Sequence, residues 1–247
     1  GYSSAASDVY KRQIYNTDND SLSGAEALIR WNSKKYGFTG PNTFIPLLED
    51  SALIIPLGRW IINTAAKACN RWITSIPDFV MHINLSFVQI VKSNIVKDVL
   101  ENIERYSAAN NHYVFEITET IEMDQIPAVQ NVFKEFVKNE FRFAIDDFGT
   151  GYSNYGYMRD RTFDIVKVDR SFVTDIDKLK DNYLMVSFII KMAHEMGLHV
   201  CIEGVETKEE LSCVKRLGAD YIQGYYYGKP VCLQDFEEQH LKRFVLG

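Results

Sequence analysis

The sequence predicts an α/β barrel in which strands alternate with helices, and three observations carry that expectation. Its 247 residues match the roughly 250 typical of a (β/α)8 barrel. Apolar strand-like runs fall around residues 10–16, 25–31, 79–85, 113–118, 141–146, 163–168, 198–203 and 220–223, with helical patterns between them. Polar residues interrupt these runs at or near their ends, and the C-terminal strand ends are where such a barrel gathers its chemistry.

Taken in order, residues 1–13 show little apolar periodicity. They are expected to be a non-native leader, similar to a translated sequencing-adapter remnant, or an incomplete first strand. The fold proper then runs from Ile14 to about residue 244. The run 25–31 holds Glu26, after which Thr39-Gly40-Pro41 opens a short helix through Glu49, proline being harmless at a helix start. Leu57, Trp60, Ile61, Thr64, Ala65, Ala68 and Trp72 recur at helical spacing. The next runs carry Asn84, Glu116, Asp146 and Lys167. Leu184, Phe188, Ile189, Met192 and Met196 predict a helix stopped by Gly197, with both methionines in the core. The run 198–203 ends in Glu203, and Thr207-Lys208-Glu209-Glu210 has the form of a capping box leading Leu211, Val214 and Leu217 to a stop at Gly218. Gln223 ends the last run.

Asp146-Asp147-Phe148-Gly149-Thr150-Gly151 is the most informative stretch. Neighbouring strand residues point to opposite faces, so both carboxylates serve one site only where the strand ends and the backbone turns. Gly149 and Gly151 permit that turn. Alone, Asp-Asp before Phe-Gly is more often a solvated turn than a ligand pair. Together with Glu26, Glu116 and Glu203 it implies several carboxylates at one barrel end, which demand a shared compensating charge such as a metal.

Composition narrows the function classes. A formal charge of −6 argues against a broad footprint on DNA or RNA. Cys69, Cys201, Cys213 and Cys232 form no CxxC pair, which fits a reducing cytoplasm. Neither a signal peptide nor an apolar stretch of about 18 residues is visible, so the segment is expected to be soluble.

Glu26-Ala27-Leu28-x-Arg30-Trp31, Asn84, Glu116-x-x-Glu119, Asp146 to Gly151, Lys167-x-Asp169, Glu203-Gly204-Val205-Glu206 and Gln223-Gly224, in that order, resemble the EAL-domain family of bacterial cyclic di-GMP phosphodiesterases. The resemblance implies a modified TIM (β/α)8 barrel with an antiparallel first strand, and hydrolysis of cyclic di-GMP to linear pGpG with two divalent metals, Mg2+ or Mn2+. Glu26, Asn84, Glu116 and Asp146 would hold one metal, and Asp146 would bridge to a second held with Asp147. Lys167 would orient water or steady charge, Glu203 would bind at the metal centre or accept a proton, and Gln223 would fix the water network. Glu119 would secure the loop after Asp147. Arg30, Leu28, Asp169 and Tyr227 would contact substrate. A homodimer and a place within a longer sensory protein, cytoplasmic or tethered to a membrane, are further implications. The alternative is a catalytically silent receptor for cyclic di-GMP, although such receptors typically lack metal-site acids. One departure concerns the first strand: Tyr-Gln-Pro-Ile is usual there, whereas this chain has Arg12-Gln13-Ile14-Tyr15.

Overall fold

The structure, a computed structural model, describes residues 7–33, 35, 37–119, 127–150 and 162–241. Its strands are β1 (Ser7–Asn16), β2 (Leu22–Ser33), β3 (Gly37–Thr39), β4 (Val80–Asn84), β5 (Tyr113–Thr118), β6 (Arg142–Phe148), β7 (Ile165–Val168), β8 (His199–Glu203) and β9 (Tyr221–Gln223). From β2 through β4 to β9 each strand pairs in parallel with the next. β1 runs antiparallel to both β2 and β9 and thereby closes an eight-stranded ring, while β3 only extends β2 as a hairpin. Closure removes the open edges that a free sheet would expose.

Ser7 to Gln13, read from the sequence as a leader or an incomplete first strand, form most of β1. They pair with β2 in continuous register from Ser7↔Trp31 to Gln13↔Ala25. The β9 side is sparser, with Tyr15↔Ile222 and Asn16↔Tyr221, because β9 is only three residues long. An isolated bridge, Lys11↔Val231, supplements it.

The helices include α1 (Pro41–Asp50), α2 (Ile54–Trp72), α3 (Phe87–Lys92), α4 (Ile95–Ile103), α5 (Pro127–Lys138), α6 (Lys180–Glu195), α7 (Lys208–Leu217) and α8 (Leu233–Phe236). The capping box on α7 forms as the spacing predicts, Thr207 accepting from the Glu210 N–H, and Gly218 ends the helix in the left-handed conformation at φ 89°. α6 is rotated from the expected face. Val186, Ile189, Ile190 and Ala193 are buried, whereas Leu184, Phe188 and Met196 are 53%, 55% and 38% exposed. Two apolar stripes lie side by side on this helix, and a 3–4 spacing does not say which one meets the sheet.

Two apolar clusters hold the barrel. The larger lies between strands and helices. The smaller, Ile14, Val114, Ala144, Ile165 and Cys201, plugs the lower interior. Side chains alternate along a strand, so the next inward residues toward the upper rim are Glu116, Asp146, Lys167 and Glu203. On antiparallel β1 the corresponding step from Ile14 is back to Arg12. An apolar plug below thus carries a charged layer above.

Candidate active site

Lys167 is the centre of that charged layer. Its Nζ lies 2.8 Å from Glu116 Oε1, 2.9 Å from Asp146 Oδ1, 2.7 Å from Glu203 Oε1 and 3.9 Å from Glu26 Oε2. The lysine is 1% exposed, so the four strands β2, β5, β6 and β8 deliver their acids to one buried ammonium. Glu26 is further fixed by Asn84, whose Nδ2 donates at 2.7 Å, and by Gln223, whose Nε2 donates at 2.6 Å. Seven of the sequence candidates therefore meet in one connected cluster.

Asp147 joins them through its backbone. Its φ of 54° places a non-glycine residue in the left-handed region, and the β6–β7 register shifts between Ile145 and Phe148. That bulge turns adjacent carboxylates toward one site. One ligand atom each from Asp146, Asp147 and Glu203 falls within 4.8 Å of the others. Such backbone strain, of order 1–3 kcal/mol, persists where surrounding structure enforces it. Glu119 supplies part of that enforcement: its Oε2 accepts from the Gly149 N–H at 2.9 Å, and its own N–H donates to the Asp146 carbonyl at 3.1 Å. Gly149 itself, at φ 96°, has no room for a Cβ, which would meet the Phe172 ring at 2.7 Å. Gly151 lies outside the described residues.

Electrostatics show the tension in this layer. Burial drives the Glu116 carboxyl well above the usual range, against the pull of Lys167. Burial likewise lifts Glu203 to about 7, and Asp147 to about 6 with Asp146 and Asp169 adding to the effect. Glu26 goes the other way: although burial opposes ionisation, Lys167, Arg12 and the donated hydrogen bonds hold it at about 2. Lys167 is buried too, yet the surrounding carboxylates keep it protonated, well above its ordinary value. One ammonium does not neutralise five acids, so this layer suits additional positive charge. Oxygen-only donors of this kind accommodate a hard divalent cation.

The EAL domain family profile matches residues 9–230. The chain belongs to the EAL domain family. The cyclic di-GMP phosphodiesterase PdeL of Escherichia coli K12 is 32% identical over 213 residues, covering 85% of this chain and 58% of PdeL. The bifunctional diguanylate cyclase/cyclic di-GMP phosphodiesterase MucR of Pseudomonas aeruginosa is 30% identical over 214 residues, or 86% of this chain and 31% of MucR. A solved structure of the EAL enzyme Bd1971, bound to cAMP and cyclic di-GMP, superposes with a TM-score of 0.89 at 34% identity, covering 95% of this chain and 64% of that one. The chain spans about a third of the length of the first curated relatives it matches. Among the described residues no helix is long and apolar enough to cross a membrane.

Within this EAL domain the remaining candidates separate. Leu28 and Arg30 line a cleft of about 550 Å³ together with Glu26, Asn84, Asp146 and Asp147. Asp169 spends Oδ1 on the Ser171 N–H, starting a turn beside the site. Tyr227 does not reach the cleft. Its ring stacks on Tyr15 with centroids 4.0 Å apart, and its hydroxyl donates to Asp20 in the β1–β2 turn at the opposite end of the barrel. The chain doubles back after Gly224, and a tyrosine run in a loop carries no periodicity to say which way each ring faces.

Two inward residues fall outside the sequence candidates. His82 is buried on β4, two residues before Asn84, and its Nδ1 lies 2.8 Å from Glu116 Oε1. Burial and Lys167 push its pKa down to about 3, so the neutral ring donates to that carboxylate. Period-two spacing from Asn84 was the available signal. Arg12 sits on β1 directly across from Glu26.

Proposed function

We propose that this EAL domain hydrolyses one phosphodiester of cyclic di-GMP to give linear pGpG, with two divalent metals, Mg2+ or Mn2+. The observation that carries the reading is the convergence of Glu26, Glu116, Asp146, Asp147 and Glu203 on one strand-end layer around Lys167. Names of relatives that act on cyclic di-GMP support it.

Glu26, Asn84, Glu116 and Asp146 would hold one ion, Asn84 through its carbonyl oxygen since its Nδ2 is given to Glu26. Asp146, Asp147 and Glu203 would hold the other. Bound there, a metal pair supplies a nucleophile at neutral pH and neutralises charge on the phosphate oxygens. Lys167 stays protonated and so donates only; it orients the attacking water and steadies negative charge as the phosphorus–oxygen bond breaks. Gln223 holds Glu26, and His82 holds Glu116, so that the carboxylates keep their orientation. Arg30 offers a forked guanidinium to a phosphate oxygen from the cleft wall.

The test is incubation with cyclic di-GMP and Mg2+ followed by chromatography. pGpG should appear and should vanish in excess EDTA. Undiminished turnover in EDTA overturns the metal assignment; tight binding without cleavage points to the receptor alternative.

A further inference from the structure

We propose that Arg12 is a substrate-binding residue of this site, a guanidinium on β1 that grips a non-bridging oxygen of the phosphodiester to be cleaved, alongside Arg30 on the neighbouring strand β2. The inference rests on the proposed phosphodiesterase reading and deepens it.

Alternation along β1 points Arg12 inward, one step above the plug residue Ile14 and in register with Glu26. From there the side chain runs toward the rim, where its guanidinium carbon lies 5.8 Å from the centroid of the Tyr225 ring. Lys229 lies 5.6 Å from the same ring, so basic groups gather at this mouth. Arg12 carries its charge beside those of Glu26 and Glu203. Burial lowers the Arg30 pKa, and Arg12 adds to that against the pull of Glu26 and Tyr225, which places the two guanidinium groups in one field.

For all this nearby negative charge, Arg12 makes no salt bridge with a carboxylate of the described residues, and its buried Nε has no hydrogen-bond partner there. The acids are already turned to Lys167. A buried guanidinium nitrogen without an acceptor is costly, and a planar fork is the side-chain shape that best matches phosphate oxygens. Once divalent cations compensate the carboxylates, the anion that fits between Arg12 and Arg30 is the phosphodiester itself.

Arg12→Gln and Arg12→Lys are compared with wild type by kcat/KM in Mg2+, Kd for cyclic di-GMP in Ca2+, metal concentration for half-maximal rate, and melting temperature. Arg12→Gln should lower kcat/KM about thirtyfold and weaken Kd about tenfold, with half-saturating metal unchanged or lower because a repelling cation has gone. Arg12→Lys should recover part of the loss, a point charge replacing a fork. The KM of wild type should rise more steeply with salt than that of Arg12→Gln. Values within about threefold of wild type for Arg12→Gln overturn the proposal. So does equal loss in both variants accompanied by lower melting temperatures and weaker metal use, which would make Arg12 a structural residue. A wild type that binds without cleaving removes the phosphodiesterase reading, while the Kd comparison still decides Arg12. A wild type that does neither overturns both.

Discussion

The two ends of the barrel both carry clustered charge, and they treat it in opposite ways. At the lower end Asp220 accepts from His194 Nε2 at 2.8 Å and from the Val200 N–H at 2.7 Å, with His199 Nδ1 at 3.3 Å. Nearby, Asp164 accepts from the Phe143 N–H at 3.0 Å. Each acid there meets opposite charge or a backbone donor. At the upper end one ammonium serves Glu26, Glu116, Asp146 and Glu203, and strain at Asp147 adds another acid. Asp220, held by two histidines and a backbone donor, has the arrangement that stabilises a fold. The upper cluster costs stability, and its rationale is a charge that arrives from outside.

The sharpest way to break this contrast is to neutralise an upper acid. Asp146→Asn should reduce hydrolysis to below about a hundredth, a barrier increase of about 2.7 kcal/mol or more, because this carboxylate faces both proposed ions. Glu26→Ala should be comparably inactive. In metal-free buffer the melting temperature of Asp146→Asn should hold or rise, since a like charge has been removed. Residual kcat above about a tenth of wild type, or a melting temperature that collapses, would mean that the acid serves the fold rather than the chemistry.

Removing the ammonium at the centre of the upper layer should do the reverse to stability. Lys167→Met leaves buried carboxylates without compensation, a change worth about 3–5 kcal/mol in denaturant unfolding measured in EDTA. Mg2+ should restore part of that stability by binding the folded state, though not the activity. Equal stability with and without Mg2+ would show that no ion takes up the uncompensated charge.

A smaller effect is expected one contact away. Glu119→Ala should lower kcat by about tenfold, or about 1.4 kcal/mol, and raise the Mg2+ concentration for half-maximal rate. Glu119 touches the Gly149 N–H and the Asp146 carbonyl rather than the proposed ions, so its influence passes through loop position. An unchanged metal titration would assign it to the fold alone.

This division also explains what the sequence revealed. Glu26, Glu116, Lys167 and Glu203 were legible because a charged residue inside an apolar run contradicts its surroundings, and the ring closes them onto one layer. The turn at Asp147 was anticipated, but it falls on Asp147 itself and not on the glycines alone. Arg12 and Lys11 were hidden by the polar composition of their segment. Yet Lys11 is fully buried, its Nζ donating to the Val9 carbonyl at 2.9 Å and its pKa pushed by burial down to about 8. Pairing with β2 extends the strand expected around residues 10–16 back to Ser7. Tyr227 and the face of α6 went astray because neither a loop nor a doubly apolar helix encodes direction.

The mildest expected change lies at the lower end. Asp220→Asn should leave kcat and metal use unaltered, because the residue is on the far side of the apolar plug, yet lower stability. Burial opposes the Asp220 charge, but hydrogen bonds from His199 and His194 hold its pKa at about 2 against an ordinary 3.8. The same contact raises His199 above its ordinary value, burial opposing. A depressed acid stabilises above its ordinary pKa and loses that contribution as pH falls through about 2. A raised histidine stabilises below its ordinary pKa and loses the contribution as pH rises through the raised one. The gap between wild type and Asp220→Asn should therefore be widest between about pH 4 and pH 6.5 and narrow on both sides. Since the group is partly exposed, solvent screening reduces the gap to about 1 kcal/mol. Urea unfolding at a series of pH values reads it directly. A gap that is flat with pH would deny the histidine contacts their role, and a simultaneous fall in kcat would break the separation between the two ends.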